Sequence, residues 1–497
     1  MNDAISRQPV SGSVPRRATA LDALRGFAIL TMVLSGLQPS LLPAWMCHAQ
    51  EPPPSGIDNP YLPGITWVDL VFPFFLFALG AAIPLALRRR IERGMTRWQA
   101  ASAVLKRGFL LAFFAIFQQH CNPYSLSGSP TAINWAVGLA AFALMFAIWA
   151  RLPDRWSAAA HWAVRAAGWA GAFALLAVLH YPDKDHPGFW LGRSNIILLV
   201  LANAAVAGSL IWLFTQNNVL LRLAVLLLGF GIHLSRYQPG WVYDLTEWSP
   251  AGWLVQWRFC KYLFIVIPGT IVGDMIEAWL RRPEGDGNGA WRRPRLWAAA
   301  LVLLAFVPVN LIGLQPPSTA GLRLVFEAGP HARMVAGTVI ANLVLCAIGA
   351  LLLRNPAGAT ERFLSRLFLW GCYWLALGFL LEPYQGGIKK TWATMSYYFV
   401  TSGLAIFTIM GFTILADMLD RARWLRLLAG NGQNPMIAYV GAGNFVLPIL
   451  GLTGLIPVLY QLTGSSPWLG ELRAVVYTLL VALMVCVFTR MKIFWRT

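Results

Sequence analysis

Apolar residues run through the chain in blocks of about 20, separated by short polar segments, and about 20 such residues let a helix cross the ~30 Å hydrocarbon core of a bilayer. The blocks fall at 21–40, 67–87, 103–119, 132–150, 160–180, 195–214, 218–235, 259–280, 296–314, 335–353, 363–381, 395–416, 434–456 and 472–489. The pattern predicts an all-α, polytopic transmembrane helical bundle of about 14 spans, with a range of 11–14 because the shorter blocks can be re-entrant.

Charge orients the bundle. With the N-terminus inside, one set of connections and span ends holds 29 Lys+Arg and 11 Asp+Glu, and the other holds 10 and 10. The whole formal charge of +18 therefore lies on one face. Basic loops stay cytoplasmic, so both termini are expected there. Arg88-Arg89-Arg90, Arg281-Arg282 with Arg292-Arg293, and Arg421 to Arg426 are the strongest markers. The Gly-rich stretch PEGDGNGA divides the chain. The expected organisation is an N-terminal tail (1–18), a first helical half (19–282), a cytoplasmic linker (283–294) and a second half (295–497).

Composition agrees. Hydrophobic residues make up 57% of the 497 and charged residues 12%, half the quarter expected of a soluble domain. A water-soluble enzyme, a disulfide scaffold and a disordered regulator are excluded. A pI near 10.1 would suggest nucleic acid in a soluble protein; here topology accounts for it, and the expected partner is the lipid bilayer. The six cysteines form no CxxC pair. Cys47 and Cys121 both fall in predicted external loops, which leaves a disulfide open. Most of the 23 Trp suit interfacial anchoring.

Ionisable groups at membrane depth are expensive and mark candidate sites. Six of the seven histidines (His48, His120, His180, His186, His233, His331) fall on the predicted external face, and His161 does not. Loop 41–66 carries His48, no Lys or Arg, and five prolines between Pro52 and Pro63. Such stiffness suits a loop holding His48 over a pocket, or equally a rigid cap. Asp69 sits in the first turn of the second span, where a carboxylate favours the helix dipole or orients a histidine. Asp22 and Arg25 are spaced to pair on one helix face. Glu382, Lys389 and Lys390 share an external loop that binds an anionic group or is a solvated turn. Asn431-Gly432-Gln433-Asn434-Pro435 enters a span interrupted by Gly441, Gly443 and Pro448. Broken helices are tolerated where protein or a polar cavity satisfies the backbone. No Walker A, dinucleotide-binding or HExxH motif stands in a meaningful context, and no metal is expected.

LDALRGFAILTMVL, GITWVDLVFPFFLFALG after a His-bearing loop, GGIKKTWATMSYYF and GQNPMIAYV together resemble the heparan-alpha-glucosaminide N-acetyltransferase family and its bacterial relatives. The resemblance implies an integral membrane acyltransferase of the bacterial inner membrane. It would take acetyl-CoA from the cytoplasm as co-substrate and transfer acetyl to a glucosamine-type amino sugar on the far side. His48 would be the catalytic base, oriented by Asp69. Ser35 stands where the family has an Asn, and Ser35 or Asn434 would donate to the oxyanion. Arg25, Lys106, Arg107 and Asn434 would hold acetyl-CoA, and Glu382, Lys389 and Lys390 the acceptor; a homodimer is open. The alternative is an amino-sugar or oligosaccharide permease on the same scaffold, to which Asn203, Asn310 and Asn342 at membrane depth are suited.

Overall fold

The structure, a computed structural model, describes residues 18–282, 289–316 and 328–495. Most of the N-terminal tail 1–18 and the first part of the linker 283–294 lie outside the described residues.

Among the described residues eleven helices are long and apolar enough to cross a membrane, the first Trp67–Glu92 and the last Pro467–Arg490. Three further helices, Thr19–Ser35, Ala158–Val178 and Val219–Ser235, fall on the remaining predicted segments. Among the described residues the only β pairing is an isolated bridge between Ala150 and Trp495. The protein is therefore a multi-pass helical membrane bundle, as the apolar blocks predict. Its outer surface carries side chains such as Leu220, Leu227, Leu228 and Leu301 fully in the open, a surface suited to hydrocarbon rather than water.

Local sequence explains where the helices start and how closely they pack. The Trp67–Glu92 helix opens with a capping box in which Thr66 and Asp69 satisfy each other's backbone groups. It runs parallel to the Leu263–Leu280 helix, whose Gly269 and Gly273 form a GxxxG stripe. A Cβ on either glycine would overlap a carbonyl of the facing helix, at Phe77 and Ala81; the stripe is what lets the backbones touch. The first helix crosses the short Arg426–Gln433 helix in the same way, since a Cβ on Gly26 or Gly432 would collide with Leu428 or Asp22 carbonyls.

The two halves inferred from sequence interlock rather than stand apart. The first helix packs on Arg426–Gln433, and the Met395–Thr413 helix, buried everywhere except at Phe412, sits among helices of both halves. The linker is also shorter than expected, because helix resumes at Arg293. The broken span appears as expected: helix stops at Asn434, restarts at Pro435, and passes through a π-helical turn at Ala442–Val446. Cys47 and Cys121 are both free thiols, so the disulfide left open by the sequence is not formed.

Charged side chains cluster at two opposite ends. At one end Asp274 receives Arg88 at 2.8 Å and Arg222 at 2.7 Å, and Arg281 bridges to Glu92 at 2.6 Å. The other end carries loop 41–66 and the segment 382–394.

Candidate functional site

The loop carrying His48 folds over the start of the Trp67–Glu92 helix and is pinned there by one carboxylate. Asp69 Oδ2 accepts from the backbone N–H of Thr66 at 2.9 Å and of Ala49 at 3.1 Å. Its Oδ1 lies 2.8 Å from His48 Nδ1. The two roles considered for Asp69, capping the helix and orienting a histidine, are filled by its two oxygens together. The Asp69 side chain is fully buried while that of His48 is 30% exposed, so an incoming molecule meets the imidazole and not the carboxylate.

Lys390 completes the cluster from a distant part of the chain. Its Nζ lies 2.8 Å from His48 Nδ1, 2.9 Å from Nε2 and 3.9 Å from Asp69 Oδ1. With Asp69 accepting at Nδ1, the imidazole proton belongs on Nδ1, and the ammonium, almost equidistant from the two ring nitrogens, lies against the ring. Burial holds the Lys390 amine below the ordinary lysine value, opposed by attraction to Asp69, Glu51 and Asp58.

Two residues given no role in the sequence reading, Gln50 and Tyr397, hold this geometry. Gln50, fully buried, donates to the carbonyls of Leu62 and Gly64 at 3.0 and 3.1 Å. Its oxygen accepts from the backbone N–H groups of Lys390 and Thr391, both at 3.3 Å. One amide thus ties the His48 loop to the Lys390 loop. Tyr397 donates its hydroxyl to the Asp69 carbonyl at 2.7 Å, linking the central helix to the same turn.

The remaining expected site residues lie elsewhere. Ser35 donates to the Met32 carbonyl of its own helix at 3.0 Å, so its hydroxyl closes a helix end rather than facing His48. Asn434, expected as an oxyanion or cofactor donor, donates to Thr489 Oγ1 at 2.9 Å and to the Ile493 carbonyl at 2.8 Å; it straps the C-terminal helix at the opposite end. Glu382 pairs with His331 at 3.0 Å. Lys389 is buried, its backbone N–H donating to Thr394 Oγ1 at 3.2 Å. Lys390 alone of that trio reaches His48. His120 is occupied at both ring nitrogens, by the Ile116 carbonyl and the Trp190 N–H.

Arg25 lies deeper, donating to the carbonyls of Gly432 at 3.1 Å and Ala78 at 3.4 Å. Ala78 is nine residues, about 14 Å of helix, below Asp69. Arg107 is near enough to Arg25 and Arg90 for their charges to repel, whereas Lys106 is exposed on the side of the Arg97–His120 helix. At this Arg-rich end a cavity of about 270 Å³ is lined by Arg423, Arg426, Arg490, Thr19, Gln433 and Thr489, among others. Arg25, Lys106, Arg107 and Asn434 do not line it. In the sequence Arg423 and Arg426 stand out only as topology markers. Among the described residues no group of three or more His, Cys, Asp or Glu is arranged to hold a metal ion.

The fold and this cluster define a multi-pass helical membrane protein with a His–Asp–Lys constellation at one end and an arginine-lined cavity at the other. Residues 17–276, over half of the 497, match the family described as "Domain of unknown function (DUF5009)", and the chain belongs to that family. A comparison with curated proteins finds none that matches.

Proposed function

We propose that the protein is a membrane acyltransferase that moves an acetyl group from acetyl-CoA to an amino sugar, with His48 as its base. The observation supporting this is the placing of His48 between a buried carboxylate and a half-buried ammonium. Asp69 keeps the proton on Nδ1 and stabilises the imidazolium once it forms, so Nε2 can accept a proton. The acceptor amine attacks the thioester carbonyl, its N–H proton passing to Nε2 as the C–N bond forms. Lys390 moves aside from Nε2 and its ammonium faces the developing oxyanion. The C–S bond then breaks, and the thiolate takes the proton back from His48. The arginine-lined cavity, with Arg423, Arg426 and Arg490, suits the phosphates of the donor. Placing donor phosphates at one end and His48 at the other fits transfer across the membrane, which we propose to be the bacterial inner membrane.

One observation favours the permease alternative. Among the described residues, the side-chain oxygens of Asn431, Asn434 and Asn444 are buried with no hydrogen-bond partner; they lie before, at and within the broken span, as in a polar path. Against it, Asn310 and Asn342 are spent on each other, at 2.8 and 3.1 Å. The test is acetyl transfer from radiolabelled acetyl-CoA to glucosamine and short amino-sugar oligomers by the purified protein in nanodiscs. Transfer that falls at least about a hundredfold in a folded His48→Ala variant supports the reading. Equal transfer in the variant removes His48 from the mechanism. Uptake of amino sugar into vesicles without any acetylation establishes the permease.

A further inference from the structure

A cavity of about 370 Å³ opens between the Ile196–Thr215, Val219–Ser235 and Leu263–Leu280 helices, within the size range of small-ligand sites. Its wall is apolar, with Ile211, Leu226 and Ile267 among the lining residues, and its mouth carries His233, Arg236 and Lys261. From Val225 to Arg236 the lining follows eleven residues of chain, largely helical, about 16 Å toward mid-membrane depth.

The mouth carries more positive than negative charge. Arg236 faces Glu247 at 3.9 Å, and among the described residues no carboxylate pairs with Lys261 or with the neighbouring Arg258, which lies outside the lining. Those two lie by aromatic rings instead, Lys261 at 5.4 Å from Tyr262 and Arg258 at 5.6 Å from Phe259. Cations snorkelling singly to an interface are ordinary. Cations gathered at the rim of an apolar cavity repel one another, and an anion with a hydrocarbon tail satisfies both the rim and the wall.

We propose that this cavity binds an anionic, phosphate-headed membrane lipid, its acyl chain against the apolar wall and its phosphate between Arg236 and Lys261. The site stands independently of the acyl-transfer reading, although it is its neighbour. The contacts of Gly269 with Phe77 and of Gly273 with Ala81 set Lys261 level with Asp69 on the parallel helices. His233 meets Gln385 at 3.5 Å, in the same loop that leads to Lys390.

The test is native mass spectrometry of the full-length, delipidated protein with three probes: phosphatidylglycerol, diacylglycerol of the same chains, and glycerol 1-phosphate. The proposal expects one phosphatidylglycerol retained at least about tenfold more tightly than diacylglycerol, a charge-assisted difference of ~1.4 kcal/mol, with no displacement by glycerol 1-phosphate. Arg236→Gln with Lys261→Gln should abolish the preference for the charged lipid. Gly229→Leu should reduce retention of both lipids by filling the cavity, since a Cβ there meets only Phe264, at 3.7 Å. Equal retention of the two lipids, displacement by glycerol 1-phosphate, or unchanged retention in both variants overturns it.

Discussion

His48 Nδ1 and Asp69 Oδ1 are 2.8 Å apart although 21 residues separate them in the chain. The intervening loop carries Glu51 and Asp58, close enough to attract Lys390, yet it returns to the helix because the other oxygen of Asp69 holds the Thr66 and Ala49 amides. The helix cap and the placement of the imidazole therefore depend on one side chain, and replacements that separate them are informative.

Asp69→Asn keeps the size of the side chain and removes its charge. An amide can present its oxygen to the two backbone amides or to His48 Nδ1, and its NH2 group is the wrong partner for whichever is left. We expect a stability loss of about 1 kcal/mol from the weakened cap and a fall in transfer rate of about 10²–10⁴ from the lost control of the imidazole proton. Thermal unfolding and single-turnover acetyl transfer separate the two effects. An Asp69→Asn variant with wild-type turnover would falsify the orienting role.

Lys390 offers a test by pH. Its burial holds the amine below the ordinary lysine value, so the ammonium loses its proton at lower pH than a lysine free in water. If the charged form assists transfer, activity falls as pH rises through that depressed value. Lys390→Arg keeps the charge at every accessible pH, and its alkaline limb should move to higher pH, whereas Lys390→Met should lower the rate below the depressed Lys390 value and converge on the wild type above it. Identical alkaline limbs in wild type and Lys390→Arg would sink the assignment.

How far these partners can be read from sequence differs from one to the next, for physical reasons. His48 and Asp69 stand out because a histidine in a stiff loop and an acid at a helix start are locally recognisable. Lys390 is recognisable as an external cation, but nothing local says that it meets a residue 342 positions away; only the packing of the central helix does. Gln50 carries no charge and belongs to no motif, so its fourfold bonding is invisible until both loops are placed. Ser35 and Asn434 mislead for the converse reason: a hydroxyl or amide near a helix end can turn back onto its own backbone or strap a neighbour, and spacing does not report which. The helices themselves were legible almost completely, since a 30 Å apolar barrier imposes length and composition on every span.

Gln50→Leu is the sharpest test of the loop tie. The substitution is close in volume but leaves the Lys390 and Thr391 amides and the Leu62 and Gly64 carbonyls without the partner they now have. A buried polar group left unpaired costs about 1–3 kcal/mol, so unfolding should shift measurably and the Lys390 loop should exchange its amide hydrogens faster. Gln50→Glu should retain the acceptor function and lose the donors. Hydrogen exchange across 386–394 that is unaltered in Gln50→Leu would show that the two loops are held by something else.

The arginine-lined cavity predicts a split in kinetic constants. Arg423, Arg426 and Arg490 line it, so Arg→Gln at any of them should raise KM for acetyl-CoA about tenfold, by ~1.4 kcal/mol of lost phosphate contact. The turnover at saturating donor should stay within about twofold, because these side chains lie at the opposite end from His48 and lose only uniform binding. The KM effect should weaken as salt rises and exposed charges are screened. Lys106→Gln is the matched control, since Lys106 is exposed on another helix and lines no part of the cavity. Should Lys106→Gln raise KM while all three arginine variants leave it unchanged, the donor phosphates bind along the Arg97–His120 helix, and the basic cavity serves another ligand.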